Sequence, residues 1–190
     1  RLSIVGCAGM GALSYVPEML QGEPKSLPKM DELQQMALDL FGEKADVDEE
    51  LLYRSSGNSG GCRPKCLLQD EEGSWIVKFR HTYDPMDMGR MEWRYNDVAR
   101  RCGIDVSDFK LIDDCYFATK RFDVVDGVRY HVITAAAMLG VSHQEPSLDY
   151  SVLLNLTGWL TQNPKEVEQM FRRMVFNVLA KNRDDHAKNF

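Results

Sequence analysis

With 190 residues, the chain has the size of one average domain, or of a small and a medium lobe together. Its 44% hydrophobic and 27% charged content sits at the globular norm and excludes disorder, collagen and coiled coil. The net charge of −6 argues against direct nucleic-acid binding, and the longest nearly apolar stretch, 132–141, is too short to span a bilayer.

Leu2–Val5 reads as a short strand, followed by the loop Gly6-Cys7-Ala8-Gly9-Met10-Gly11. That loop lacks the G-x-G-x-x-G spacing of a dinucleotide fingerprint, so a structural turn is the favoured reading. Asp31 is placed to cap a helix whose apolar stripe is Leu33, Met36, Ala37, Leu40 and Phe41, with Gly42 as its stop. An acidic linker, 43–50, precedes a β-rich stretch: Leu51–Arg54, the loop Ser55–Gly61, Pro64–Gln69, an acidic turn at Asp70–Gly73, and Trp75–Arg80. A helix between Gly89 and Cys102 carries Met91, Tyr95, Val98, Ala99 and Cys102 on one face, with Gly103 as its stop. Cys115–Val125 then turns at Asp126-Gly127 into Val128–Thr134, a strong hairpin signal.

Beyond about residue 135 the pattern is helical, with a helix expected over 148–161. In the last helix Asn163-Pro164-Lys165-Glu166 supplies an N-cap, a first-turn Pro and a Glu at N3. Val167, Met170, Phe171, Met174, Val175, Val178 and Leu179 follow at helical spacing, and the methionines among them read as core. The expected fold class is therefore α+β: a β-rich N-terminal lobe over 1–134, and the start of a helical lobe over 135–190.

The five cysteines, Cys7, Cys62, Cys66, Cys102 and Cys115, are odd in number and form no C-x-x-C. His81, His131, His143 and His186 complete no zinc spacing. No charged-then-apolar leader is read at the start, so a reduced, cytoplasmic setting is expected. A chain that opens at Arg1 and stops at Phe190 just after a polar cluster reads as a piece of something longer.

Three features carry chemistry in order. The loop Ser55-Ser56-Gly57-Asn58-Ser59-Gly60-Gly61 lies between strands, where glycines and serines can turn N–H and O–H donors toward an anion; alone it also reads as a hairpin tip. Lys78 sits within the apolar strand Trp75-Ile76-Val77-Lys78-Phe79, a costly place for an ammonium without an anion. Glu92 follows in the next helix, and a strand lysine paired with a helix glutamate is how protein kinases hold the α/β-phosphates. After the best helix comes Asn182-Arg183-Asp184-Asp185-His186-Ala187-Lys188-Asn189. Asp184 and Asn189 reproduce the Asp-x4-Asn spacing of a kinase catalytic loop, whereas Asp185 lacks an Asn at that offset. A carboxylate can accept a proton from a hydroxyl nucleophile, and an amide oxygen is a hard Mg²⁺ ligand. His186 reads as a hydrogen-bonding strut ahead of a metal ligand or base.

These residues resemble the HipA-type kinase toxins of bacterial toxin–antitoxin pairs. The resemblance rests on Gly60-Gly61-Cys62-Arg63-Pro64-Lys65, the Lys78 strand, Lys120-Arg121-Phe122-Asp123, Arg173–Leu179 and, above all, Asn182–Phe190. It implies a two-lobed protein-kinase-like fold and an ATP- and Mg²⁺-dependent Ser/Thr kinase. Asp184 would be catalytic and Asn189 a metal ligand. Ser59, Gly60, Gly61, Lys65, Lys78, Lys120, Phe122, His186 and Lys188 would line the nucleotide site, with Glu92 pairing Lys78. Lys120 and Phe122 match the hinge whose backbone holds adenine. The implied partners are a translation-related protein substrate such as an aminoacyl-tRNA synthetase, and a HipB-like DNA-binding antitoxin.

The sequence departs from that pattern in three places. Asn58 stands where the family's phosphorylated loop serine aligns, which leaves Ser59 or Ser56 as the autophosphorylation candidates. The small N-terminal subdomain is largely absent, so a separate chain is a candidate to supply it. The family's second metal-binding aspartate is expected beyond Phe190, so the 190-residue piece is expected to be inactive alone. Two classes of function stay open: a kinase, or a nucleotide-binding pseudokinase module acting through an antitoxin or complex.

Overall fold

The computed structural model describes residue 6 and residues 9–17, 29–41, 63–141 and 148–190. The expected strands Leu2–Val5 and Leu51–Arg54, the acidic linker and the loop Ser55–Gly61 lie outside the described residues.

A four-stranded antiparallel sheet is built from β1 (Lys65–Asp70), β2 (Gly73–Lys78), β3 (Phe109–Ile112) and β4 (Tyr116–Lys120), in the order β1-β2-β4-β3. The acidic turn between β1 and β2 forms because the Asp70 carboxylate accepts the N–H groups of Glu72 and Gly73, at 2.9 and 3.1 Å, a local bond that Asp makes readily. Lys110 donates to the same carboxylate, and its hydrogen bond is the main reason that the Asp70 carboxyl is lowered to about 2. Strand β3 had no clear sequence signal. It forms a hairpin with β4 across Asp113 and Asp114, both at positive φ, a conformation that Asp tolerates better than most residues.

Side chains alternate across the sheet. Cys66, Trp75, Val77, Tyr116 and Ala118 face one way and form the core with Phe79 and Leu33. Leu33 belongs to α1 (Met30–Phe41), which covers this face. Asp31 lies inside the first turn of α1 rather than capping it. Its carboxylate accepts a hydrogen bond from Tyr116 Oη, while Glu32 reaches back to the Lys29 N–H at 3.2 Å. Burying a side chain the size of Val77 or Phe117 contributes about 1.5–3 kcal/mol, and both are fully enclosed.

The opposite face meets α2 (Met88–Arg101). Gly89 presses against β4 so closely that a Cβ there would stand 1.9 Å from the Cys115 carbonyl oxygen. Trp93, one turn on, packs edge-on against Phe109 at 5.9 Å. The apolar face expected to be buried is largely solvent-exposed at Met91, Tyr95 and Val98, and only Ala99 of that set is enclosed. The helix instead turns Gly89, Glu92 and Trp93 inward.

The long strand expected over Cys115–Val125 breaks at Arg121-Phe122-Asp123. Beyond the break, β5 (Val124–Val125) and β6 (Val128–Arg129) pair across Asp126-Gly127, both at positive φ, as a two-residue hairpin turn requires. The break has a physical cause: Asp123 is buried. Its carboxylate accepts the Gly11 N–H at 2.7 Å and two bonds from the Arg121 guanidinium at 2.7 and 3.0 Å. Burial pushes this carboxyl up, but the Arg121 and Gly11 bonds outweigh it and hold the group below the usual range. Arg129 completes the arrangement by donating to the Gly9, Gly11 and Leu13 carbonyls at 2.7–3.0 Å. From Gly9 onward the first glycine loop is thus a clamped structural turn.

The helical region holds α3 (Ala135–Leu139), α4 (Tyr150–Thr161) and α5 (Pro164–Leu179). Thr134, Asp149 and Asn163 cap them in turn, each side chain accepting a first-turn N–H. Helix α5 has the expected cap and periodicity, yet none of its residues is fully buried. Phe171, Val175, Val178 and Leu179 of its stripe are exposed, Leu179 to 77%, and Met170 and Met174 are half-buried.

The chain divides into two units: Arg1–Tyr95 with Ser107–Val132, and Asn96–Val106 with Ile133–Phe190. The segment 96–106 joins the helical unit through α5, where Arg172 donates to the Cys102 carbonyl and Gln169 to the Gly103 carbonyl, at 3.2 and 3.1 Å. Among the described residues no helix is long and apolar enough to cross a membrane. Cys66, Cys102 and Cys115 are free thiols, and burial pushes Cys66 up to about 12.

Candidate functional site

The sheet unit contributes a paired lysine. Lys78 ends β2 on the face that carries Ile76 and Phe117 rather than the core face. Its Nζ lies 3.0 Å from Glu92 Oε2 and 5.3 Å from the centre of the Phe117 ring. Glu92 reaches it because Gly89, one turn earlier, lets α2 lie directly against β4. A carboxylate on a half-buried helix face is stabilised by a cation so placed.

Lys65 is the direct partner of Lys78 across β1–β2, so two of the expected nucleotide-site lysines share one end of the sheet. Lys120 is not gathered with them. It pairs with Trp75, which by strand alternation turns it to the other face. Phe122 follows in the break after β4 and is 65% exposed. The Lys120 and Arg121 N–H groups donate to Asp108 O and Ser74 O at 2.7 and 2.8 Å. The Phe122 peptide makes no hydrogen bond to the described residues. Ser56, Ser59, Gly60 and Gly61 lie outside the described residues.

The helical unit contributes the polar loop after α5. A chain of amides shapes it: Asn182 donates to Asn177 Oδ1 at 3.2 Å, and Asn182 Oδ1 accepts the Asp184 N–H at 3.0 Å. Asn189 Nδ2 donates to the Asp184 carbonyl, which brings the two ends of the Asp-x4-Asn spacing together. The 3₁₀ turn Ala187–Asn189 makes that closure possible. The Asp184 carboxylate is 80% exposed and has His186 Nε2 at 3.2 Å, so the histidine touches it as a strut. Lys188 projects outward.

Asp185 is spoken for in a different way. It accepts the Tyr150 hydroxyl at 2.9 Å, and Asn177 donates to the same hydroxyl oxygen at 2.8 Å. The Tyr150 ring also meets Phe190 edge-on at 5.9 Å, and the Phe190 carbonyl accepts the Ala135 N–H at 2.7 Å. One tyrosine therefore braces both ends of the loop. Sequence reasoning missed Tyr150 and Asn177, whose only signals were a polar residue opening one helix and another on the inner face of the next.

Asp184 and Asn189 offer hard oxygen donors of the type Mg²⁺ takes, alongside phosphate and water oxygens. Among the described residues no group of three or more His, Cys, Asp or Glu could enclose a metal by itself.

Comparison with known proteins places the chain in a family and a fold. A family model described as the HipA-like C-terminal domain matches residues 57–190. A Sinorhizobium fredii protein named "Putative kinase Y4dM" is 28% identical over 135 residues, covering 62% of this chain and 32% of that protein. The fold is similar to a structure described as the Shewanella oneidensis toxin–antitoxin system HipA, HipB and its operator DNA complex. The TM-score is 0.66 at 19% identity, over 99% of this chain and 52% of that one. The chain thus spans about a third of the curated relative and about half of the solved one.

Proposed function

The chain belongs to the HipA-like C-terminal domain family, and on that premise we propose that it is the nucleotide-binding and catalytic part of an ATP-dependent Ser/Thr protein kinase of toxin type. The observation that carries this reading is the Lys78–Glu92 pair at 3.0 Å, a strand lysine held ready for phosphate oxygens by a helix carboxylate.

Lys78 neutralises charge on the α- and β-phosphates. The glycine loop with Ser59, Gly60 and Gly61 covers them, and the Phe122 peptide with the Lys120 carbonyl receives adenine. Asp184 accepts the proton of a Ser or Thr hydroxyl as its oxygen bonds to the γ-phosphorus. The bond from that phosphorus to the β,γ-bridging oxygen breaks, and ADP leaves. Asn189 would hold Mg²⁺, which would supply electrostatic stabilisation of the transferring phosphoryl group. His186 keeps the Asp184 carboxylate oriented, as the 3.2 Å contact supports. A translation-related substrate and a DNA-binding antitoxin partner are part of the same proposal, by similarity to the HipA system.

The test is phosphoryl transfer and ATP binding by full-length protein. Lys78→Met removes a charged hydrogen bond worth about 1.5–3 kcal/mol, so ATP affinity falls about 10- to 100-fold. Asp184→Asn lowers transfer about 10²- to 10⁴-fold with ATP binding retained. Wild-type protein that binds ATP without turnover would move the assignment to a nucleotide-binding module. Wild-type protein that binds no ATP would end it.

A further inference from the structure

Next to Lys78 lies a second cation that the kinase reading does not use. Strand pairing runs past the end of β2, for the Phe79 N–H donates to the Pro64 carbonyl at 2.9 Å and the Phe79 ring is buried in the core. With Phe79 turned inward, alternation sends Lys78 and Arg80 to the same opposite side. Lys65 faces Lys78 across the strands. Like charges set opposite one another on a sheet repel unless anions answer them. Glu92 answers Lys78. Arg80 Nε, by contrast, is shut away from solvent with no acceptor among the described residues.

Lys78 and Arg80 line one cavity of about 120 Å³, together with Gln34, Gly89 and Tyr116. Among the described residues no Asp or Glu lines it. Gly89 stands in the first turn of α2, where backbone N–H groups lack intrahelical acceptors and the helix dipole is positive. Its backbone forms part of the cavity wall. Two cations and a helix N-terminus converging on an enclosed space attract an anion. The space is too small for a whole nucleotide, since pockets for such ligands start near about 300 Å³.

We propose that Arg80, Lys78 and the first turn of α2 at Gly89 form a pocket for a single phosphoryl group. The phosphoryl group of a bound nucleotide is the occupant if the kinase reading holds; free inorganic phosphate offers the same chemistry. Arg80 is then a specificity-determining residue for the phosphate end of the ligand. Its buried Nε contributes a directed donor that a lysine does not replace.

The experiment is calorimetric titration of full-length wild type, Arg80→Gln and Arg80→Lys with ATP, tripolyphosphate and inorganic phosphate. Arg80→Gln weakens tripolyphosphate and ATP by about tenfold each, the loss of one charged hydrogen bond. Arg80→Lys falls between it and wild type. The unliganded melting temperature of either variant is unchanged or higher, because no protein partner is lost. Affinities for ATP, tripolyphosphate and inorganic phosphate all within twofold of wild type in Arg80→Gln would overturn the pocket while leaving the kinase reading intact. Loss confined to inorganic phosphate supports the pocket with free phosphate as its occupant. Wild-type protein blind to ATP, yet binding inorganic phosphate through Arg80, would end the kinase reading and keep the pocket.

Discussion

Asp123→Asn replaces a fully buried carboxylate by an amide of the same shape. The wild-type side chain is 0% exposed and its partner Arg121 is 9% exposed, so water cannot take over the lost charge. The amide oxygen can still accept the Gly11 N–H, but its NH₂ then points at the Arg121 guanidinium, donor against donor. Removing one partner of a buried pair costs about 3–5 kcal/mol, because the other charge is stranded. Retention of the Gly11 bond favours the lower end, about 3 kcal/mol. With a urea slope of about 2 kcal/mol/M, the unfolding midpoint falls by about 1.5 M. Trp75, buried in the core of the same unit, gives the fluorescence signal, whereas Trp159 is exposed and belongs to the other unit. Adding Arg121→Gln to Asp123→Asn removes the stranded charge and recovers stability, with a coupling of about 1–3 kcal/mol in a double-mutant cycle. The pH dependence is a second readout. The folded carboxyl lies below its ordinary value, so its contribution is present above that value, about 3.9. It is lost as pH falls through the folded value. The acid-side decline below about pH 4 should therefore be shallower in Asp123→Asn. A midpoint shift under about 0.3 M in urea, with an unchanged acid limb, would refute the argument that this ion pair holds the Gly9–Leu13 turn.

Gly89→Ala forces a Cβ to within 1.9 Å of the Cys115 carbonyl oxygen. Helix α2 must lift, with an overpacking cost of about 1–3 kcal/mol, and ATP affinity should fall with the displaced Glu92; a normal melting temperature and affinity would disprove the close-approach argument. Tyr150→Phe keeps the ring on Phe190 but removes the hydroxyl bonds to Asp185 and Asn177. Misplacement of the loop should slow transfer about tenfold at unchanged ATP affinity, as measured by single-turnover kinetics. An unaltered rate would mean that Tyr150 does not position the loop.

Local chemistry in the sequence was enough to specify much of this chain. Capping at Asn163-Pro164, the turn at Asp126-Gly127 and the acidic turn at Asp70–Gly73 all depend on neighbours within a few residues, and each forms where those neighbours stand. The Lys78–Glu92 pairing was legible because a charge inside an apolar strand demands a partner, and the next helix offered one. The inward face of α2 was not. Hydrophobic periodicity selected Met91, Tyr95 and Val98, but the contact is made by a glycine, a glutamate and a tryptophan. Gly89 counts for its lack of volume and Glu92 for its partner, and neither property is visible to a hydropathy pattern. The same holds for Asp123, Arg80 and Tyr150. Asp123 meets Gly11 only because residues 112 apart in sequence converge, Arg80 shares a cavity with a helix terminus, and Tyr150 reaches a loop 35 residues away. Whether a polar side chain is solvated, clamped or left facing a cavity depends on which distant groups surround it, and that is decided by tertiary packing alone.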